Sequence, residues 1–286
     1  MYAITGVTGH VGGATARELL AAGARVRVVV RDPEKGRSWS QSGAEVAVTD
    51  FADRTALAAA LAGCRGAFVM LPTIATATDA EHRGLADSIA AAVAGSGVRH
   101  VAALSSVGAD LAEGTGPVRW LHHLENRLRE SGTVLTAIRS PHFQEKAETV
   151  LGSATGAGAY PVFGDADIPI PMVATRDVGT AVAESLLSPP PAGEVIDLIA
   201  PSYTERQVAE KLGAALGRAL RVVTIPRRDW LDALTNAGVP PLLAAELVDL
   251  YDADHRGVLQ PRGDRRRSCT TTLDETLRQL VETASV

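Results

Sequence analysis

A doubly wound parallel α/β sheet, a Rossmann fold with a smaller C-terminal substrate lobe, is the fold class that the sequence predicts. Three observations carry it. Short apolar runs alternate with longer helical stretches through the first half of the chain. The first run, Tyr2 to Thr5, leads straight into a glycine turn spaced Gly6-x-x-Gly9-x-x-Gly12. Residues after that turn carry helical periodicity. Strands joined by helical crossovers pair in parallel, whereas antiparallel neighbours need only a short hairpin.

The elements follow in order. After the strand Tyr2 to Thr5, a helix is expected from Val11 to Ala22, closed by Gly23 as a C′ glycine. Arg25 to Val30 reads as the second strand, its apolar positions nearly all β-branched. Glu45 to Val48 reads as the third, Arg54 to Ala62 as a helix, and Gly66 to Leu71 as the fourth strand, stopped by Pro72. An Ala-rich helix from Asp79 to Ala94 precedes a fifth strand, His100 to Leu104, which ends at Ser105-Ser106. The helix Val118 to Glu130 and the strand Val134 to Ile138 complete a dinucleotide domain over residues 1–150.

The remaining third is expected to build the substrate side. Residues 152–171 are rich in Gly and Pro and read as a loop, followed by a short strand around Ile168 to Val173. A helix from Arg176 to Leu187, capped by Asp177, is expected to return with 171–187 to the first domain. Beyond Pro189-Pro190-Pro191 come a strand, Glu194 to Leu198, a helix opened by the capping box Thr204-x-x-Gln207 and ending at Gly217, and a strand, Arg221 to Ile225. Two amphipathic helices, Arg228 to Asn236 and Leu242 to Tyr251, then place Trp230, Leu234, Leu247 and Tyr251 at helical spacing. Residues 151–170 and 188–286 are therefore expected to form a substrate-binding lobe with a hydrophobic lid.

The glycine turn points to a dinucleotide. A tight turn after a buried strand, opening a helix, aims backbone N–H groups and the positive end of the helix dipole at a pyrophosphate. Gly6, Thr8, Gly9, His10, Val11 and Gly12 are the expected cradle. The end of the second strand reports which dinucleotide. An NAD site usually has an acidic residue there for the ribose hydroxyls, but this chain offers Arg31 before Asp32. An arginine pairs with a 2′-phosphate, so NADPH is the expected cofactor, with Lys35 as a second phosphate contact. Asp32 as a ribose acceptor is the competing assignment. Asp50 and Phe51 would flank the adenine, and Leu71 and Pro72 would line the cofactor with backbone.

Composition excludes other classes. A net charge of −5 argues against a nucleic-acid surface, and the basic stretch Arg262 to Arg267 reads as a solvated turn diluted by Asp264. Cys64 and Cys269 have no metal-ligand spacing and read as reduced thiols of a cytoplasmic protein. No apolar run is long enough to span a bilayer, and the opening strand leaves no room for a signal peptide.

Several segments resemble the NmrA-like atypical short-chain dehydrogenase/reductases: Thr5-Gly6-Val7-Thr8-Gly9-His10-Val11-Gly12, Val30-Arg31-Asp32-Pro33, Leu104-Ser105-Ser106-Val107-Gly108, and Ile138-Arg139-Ser140-Pro141-His142-Phe143-x-Glu145. So do Glu125-x-x-Leu128-Arg129-x-Ser131-Gly132, Pro171-Met172-Val173 to Arg176-Asp177-Val178, and Tyr203-Thr204-Glu205 to Leu216-Gly217-Arg218. The resemblance implies either an NADPH-dependent quinone or ketone reductase or a redox sensor without turnover. It departs at Lys146, where the family often has Asn.

The proton donor is the open question. None of Tyr2, Tyr160, Tyr203 and Tyr251 has Lys four residues later, so the acid pair of typical short-chain reductases is absent. Ser105, at the carboxyl end of the fifth strand, is expected either to donate to a developing alkoxide or merely to satisfy strand-end backbone. His122 and His123 point about 100° apart on their helix, so at most one faces the pocket; His122 is carried forward as a candidate acid beside a packing role. His142, after the sixth strand, is a further candidate and a pocket wall near the nicotinamide. The implied substrate is a bulky, hydrophobic carbonyl compound, possible polyketide-type molecules included.

Overall fold

The structure, a computed structural model, describes residues 1–284. Its central sheet is built from β1 (Tyr2–Ile4), β2 (Val26–Val30), β3 (Glu45–Val48), β4 (Gly66–Val69), β5 (His100–Ser106), β6 (Val134–Ser140), β10 (Glu194–Ile199) and β13 (Arg265–Ser268). They lie in the order β13-β10-β6-β5-β4-β1-β2-β3, every neighbouring pair parallel. The order reverses between β1 and β4, which opens a crevice at their carboxyl ends.

Both faces of this sheet are covered, so its strands read as continuous apolar runs rather than alternating ones. On one face Ile4, Val28, Phe68, Ala102 and Ile138 pack under α1 (His10–Ala21) and α7 (Thr175–Leu187). On the other, Ala3, Val69, Val101, Ala103 and Leu135 meet α3 (Arg54–Leu61), α4 (Asp79–Ser96) and α5 (Val118–Arg129). A short α2 (Arg37–Gln41) joins β2 to β3. Thr78 and Glu81 close a capping box on α4.

The second half departs from expectation in several places. Residues 188–286 are not all lobe. β10 pairs with β6, and β13 pairs with β10, so both extend the main sheet. The basic stretch expected as a solvated turn supplies that edge strand. Its arginines face solvent and pair with acids, Arg265 with Glu194 at 2.7 Å and Arg267 with Glu184 at 2.8 Å. Charge is the usual guard of an exposed edge, and it masks the apolar signal by which strands are recognised. The stretch 152–171, expected as loop before a short strand, instead carries most of α6 (Leu151–Ala157) and then β8 (Ala159–Phe163). α11 (Leu273–Ala284) was not anticipated.

The small lobe has two cores. α6, β8, α8 (Glu205–Ala215), β12 (Arg221–Ile225) and α11 bury Tyr160, Val162, Leu212 and Leu277 together. α9 (Trp230–Asn236) and α10 (Pro241–His255) bury Trp230, Leu234, Ala244 and Val248 against Phe163 and Tyr251. Phe163 and Tyr251 stack with centroids 5.2 Å apart, and Trp230 stands edge-on to Tyr251 at 5.9 Å. A three-stranded sheet of β7 (His142–Phe143), β9 (Ile170–Val173) and β11 (Ser202–Tyr203) links lobe and domain. Asp177 does not cap α7. Its carboxylate accepts from the Thr271 N–H and hydroxyl, tying down the chain before α11. Glu145 takes the cap instead, accepting from the N–H of Thr175 at 2.9 Å and from its hydroxyl at 2.6 Å.

Candidate active site

At the crevice between β1 and β4, Gly6 adopts φ +64 and its carbonyl accepts from the Gly9 N–H at 3.0 Å. A methyl group on Gly12 would stand 2.4 Å from the Gly6 oxygen, so glycine alone lets α1 start this close to the turn. α1 has Gly9 as its N-cap, no side-chain cap and no acidic residue in its first turn. Its leading N–H groups are therefore directed outward without competition from a carboxylate, the arrangement an anion requires.

A cavity of about 360 Å³ opens from this turn. Gly6, Gly9, His10, Val11 and Gly12 form one wall. Phe68, Met70, Leu104 and Phe143 supply a carbon-rich wall toward β5 and β6, and His142, Glu145, Lys146 and Glu148 complete it from the segment after β6. The glycine turn and the strands beyond the switch point thus share one space. In Rossmann sheets generally, the adenine half of a dinucleotide extends over β2 and β3, on the other side of the switch point from this cavity.

The adenine side carries exposed cations. Arg31 is 76% exposed and its nearest acid, Asp50, lies 4.0 Å away. Lys35 is exposed on the 3₁₀ turn Pro33–Gly36. Asp32, the rival ribose acceptor, spends its carboxylate on the Glu34 N–H at 2.9 Å, capping that turn. Asp50 accepts from the Ala52 N–H, and half-buried Phe51 lies beside it with its carbonyl taking the Ser88 hydroxyl. Leu71 is buried against the α3–α4 face and Pro72 is half-buried just past Met70. Thr8 is exposed on the turn. These residues fit a 2′-phosphorylated dinucleotide: a glycine cradle, free helix N–H groups, and cations beyond β2 in place of an unengaged acid. Among the described residues no group of three His, Cys, Asp or Glu is placed to hold a metal.

Two proposed acids are not in the cavity. Ser105 alternates with Leu104 on β5 and so faces the opposite side of the sheet. There its hydroxyl donates to Glu125 at 2.6 Å, both groups buried. Arg139 adds two bonds to the same carboxylate, at 2.9 and 2.7 Å, and Arg129 one at 2.6 Å. His122 sits on α5 with Nδ1 2.9 Å from the Ala109 carbonyl and Nε2 2.9 Å from the Asn126 amide. With both ring nitrogens engaged away from the cavity, His122 is a packing residue. His123 bonds Asp87 at 2.9 Å on the outer surface.

His142 is at the cavity, and its Nε2 lies 3.1 Å from Asp254 Oδ2 on α10. Burial disfavours charge on Asp254, but the His142 hydrogen bond and the nearby His142, Lys146 and His255 charges hold its carboxyl below the usual range. Lys146 reaches Glu205, which also accepts from the Tyr160 hydroxyl at 2.7 Å. His10 and Glu148 meet at 3.1 Å across the outer side of the turn. Burial and the Glu205 charge drive the Tyr160 phenol far above its ordinary value, so it does not ionise near neutrality. Glu145 was legible only as the end of a motif and Lys146 only as a departure from it, while Glu148 and Asp254 carried no local signal.

Comparison with known proteins bears on the family and the fold. The NmrA-like family model matches residues 2–257. An NAD(P)H azoreductase of Xenophilus azovorans is 25% identical over 253 residues, covering 88% of this chain and 86% of the relative. The (4-alkanoyl-5-oxo-2,5-dihydrofuran-3-yl)methyl phosphate reductase of Streptomyces griseus is 31% identical over 250 residues, covering 86% and 85%. Among solved structures, an NADPH-dependent quinone oxidoreductase of Escherichia coli bound to NADPH superposes with TM-score 0.82 at 25% identity, covering 98% of this chain and 99% of that one. The chain belongs to the NmrA-like family.

Proposed function

We propose that this protein reduces a carbonyl, of a ketone or quinone, on a bulky and largely apolar molecule of polyketide type. It is an NADPH-dependent oxidoreductase, in line with its relatives. The observation that carries the substrate reading is the single cavity joining the dinucleotide turn to the wall of Phe68, Met70, Leu104 and Phe143. Such a wall takes a flat hydrophobic molecule and excludes water from it.

In this reading Gly6, Thr8, Gly9, His10, Val11 and Gly12 hold the pyrophosphate, and Arg31 and Lys35 take the 2′-phosphate. Asp50 and Phe51 flank the adenine, Leu71 and Pro72 pass beside the ribose, and His142 stands on the nicotinamide side. The bound cofactor supplies hydride. The chain positions the acceptor against it, which removes much of the barrier without covalent catalysis. The test is NADPH oxidation at a panel of aromatic ketones and quinones, with binding of NADPH and NADH measured on the same protein. Turnover with panel members supports the reading. Tight NADPH binding with no oxidation anywhere in the panel favours a sensor instead.

A further inference from the structure

We infer that His142 delivers the proton that completes carbonyl reduction, and that Asp254, carried on the lid helix α10, is the positioning residue that holds its ring. The inference rests on the reductase reading above. His142 belongs to β7 in the linker between domain and lobe, whereas Asp254 comes from the far end of the lid, so the pair exists only where α10 is docked. That docking is built in. Arg119 of α5 makes a two-pronged ion pair with Glu246 of the same helix and also bonds Asp79 at 3.1 Å.

The geometry assigns the two ring nitrogens. Nε2 lies 3.1 Å from the Asp254 carboxylate, an acceptor, and in the proposed scheme this nitrogen carries the hydrogen of the neutral ring. Nδ1 has no protein partner among the described residues, and the side chain is one-fifth exposed at the cavity. Hydride given up by a bound reduced nicotinamide, which would be oxidised as its C–H bond breaks, would add to the carbonyl carbon and form the new C–H bond. The C=O π pair moves to oxygen, and the resulting alkoxide takes the proton from Nδ1 of the imidazolium. The ring is left neutral with Nε2–H still on Asp254, and water at the exposed edge restores the proton. Asp254, 3.1 Å away, fixes the ring, the role an orienting carboxylate plays beside a general acid. Lys146 and Glu145 line the same cavity, but each is spent, on Glu205 and on Thr175 respectively. Ser105 and His122 face elsewhere, as described.

The experiment compares wild type with His142→Ala and Asp254→Asn. NADPH affinity, read by nicotinamide fluorescence, should be retained in Asp254→Asn and should fall far less than kcat in His142→Ala, which removes a wall of the cavity but no contact to the phosphate cradle. With the best carbonyl substrate, kcat of His142→Ala should fall on the order of a hundredfold or more. Added imidazole should restore part of it, a response that loss of packing does not give. Asp254→Asn should lose less. Nitrogen-15 spectra of the wild-type imidazole at high pH should show the Nε2–H tautomer, and Asp254→Asn should mix the two tautomers. Wild-type kcat in His142→Ala, or a loss that imidazole leaves untouched, overturns the proton-donor assignment. An unaltered tautomer in Asp254→Asn overturns the positioning role whether or not turnover is found. A wild-type protein that binds NADPH and reduces no carbonyl refutes the reductase reading itself, and the proton-donor assignment falls with it.

Discussion

Replacing Ser105 by alanine separates a structural hydroxyl from a catalytic one. The hydroxyl donates one bond, at 2.6 Å, to a carboxylate that is 1% exposed. A hydrogen bond to a charged group contributes roughly 1.5–3 kcal/mol. Ser105→Ala should lie near the low end, about 1.5 kcal/mol, because Glu125 retains both bonds from Arg139 and one from Arg129. Glu125→Ala should cost more, ~3–5 kcal/mol. It strands the Arg139 guanidinium, whose next carboxylate, Asp110, lies 3.8 Å away. Equilibrium urea unfolding followed by circular dichroism measures both, and NADPH oxidation is assayed in parallel. Ser105→Ala should unfold at lower urea and keep its turnover. An alanine variant with wild-type stability and no turnover would show that the hydroxyl serves the reaction and that its bond to Glu125 is incidental.

Three further expectations follow from the same geometry. Arg31→Ala should weaken NADPH about tenfold, the equivalent of ~1.4 kcal/mol, and leave NADH nearly unchanged; equal losses in a fluorescence titration would remove Arg31 from the 2′-phosphate. Gly12→Ala places a methyl against the Gly6 backbone, so it should destabilise the fold by ~1–3 kcal/mol and weaken both nucleotides; wild-type affinity would mean that the turn yields freely. Burial pushes His100 down to about 4, with Glu194 opposing, so the fold favours its neutral form. Its contribution is full above pH 6.5 and is lost as pH falls toward 4, ~3 kcal/mol in all; His100→Phe should flatten urea midpoints across that window, and an unchanged slope would exclude His100 as the cause.

The cofactor half was legible because its signals are local. A strand, three glycines and a helix start lie within a dozen residues of one another, and Asp32 turns its carboxylate onto the Glu34 N–H two residues along, which favours Arg31 as the phosphate contact. The proposed proton donor was legible only in part: His142 stood among the candidates, but nothing local ranked it above Ser105 and His122, for two physical reasons. Which side of a strand a serine faces depends on where its neighbours bury, and Leu104 takes the cavity side of β5. Which histidine meets an acid depends on tertiary docking: Asp254 and His142 come together only through the packing of α10 on the domain. The edge strand β13 stayed hidden because its charged side chains, suited to solvent and to Glu184 and Glu194, carry no apolar alternation. Helix α11 buries Leu273 and Leu277 against α8, an apolar stripe that the acidic residues Asp274 and Glu275 obscure in sequence.

The pairing of β13 with β10 also bears on how the protein is made. The last strand of the sheet comes from residues 265–268, and just after it the Thr271 carbonyl and Thr276 hydroxyl bind the buried Gln144 amide. During synthesis, β10 therefore waits with an open flank, and Gln144 without its partners, until most of the chain has left the ribosome. Late closure of this kind slows folding and leaves a strand edge exposed meanwhile. The arginines of β13 cannot protect that flank before they emerge, so β10 is the segment through which nascent chains are most exposed to mispairing with one another.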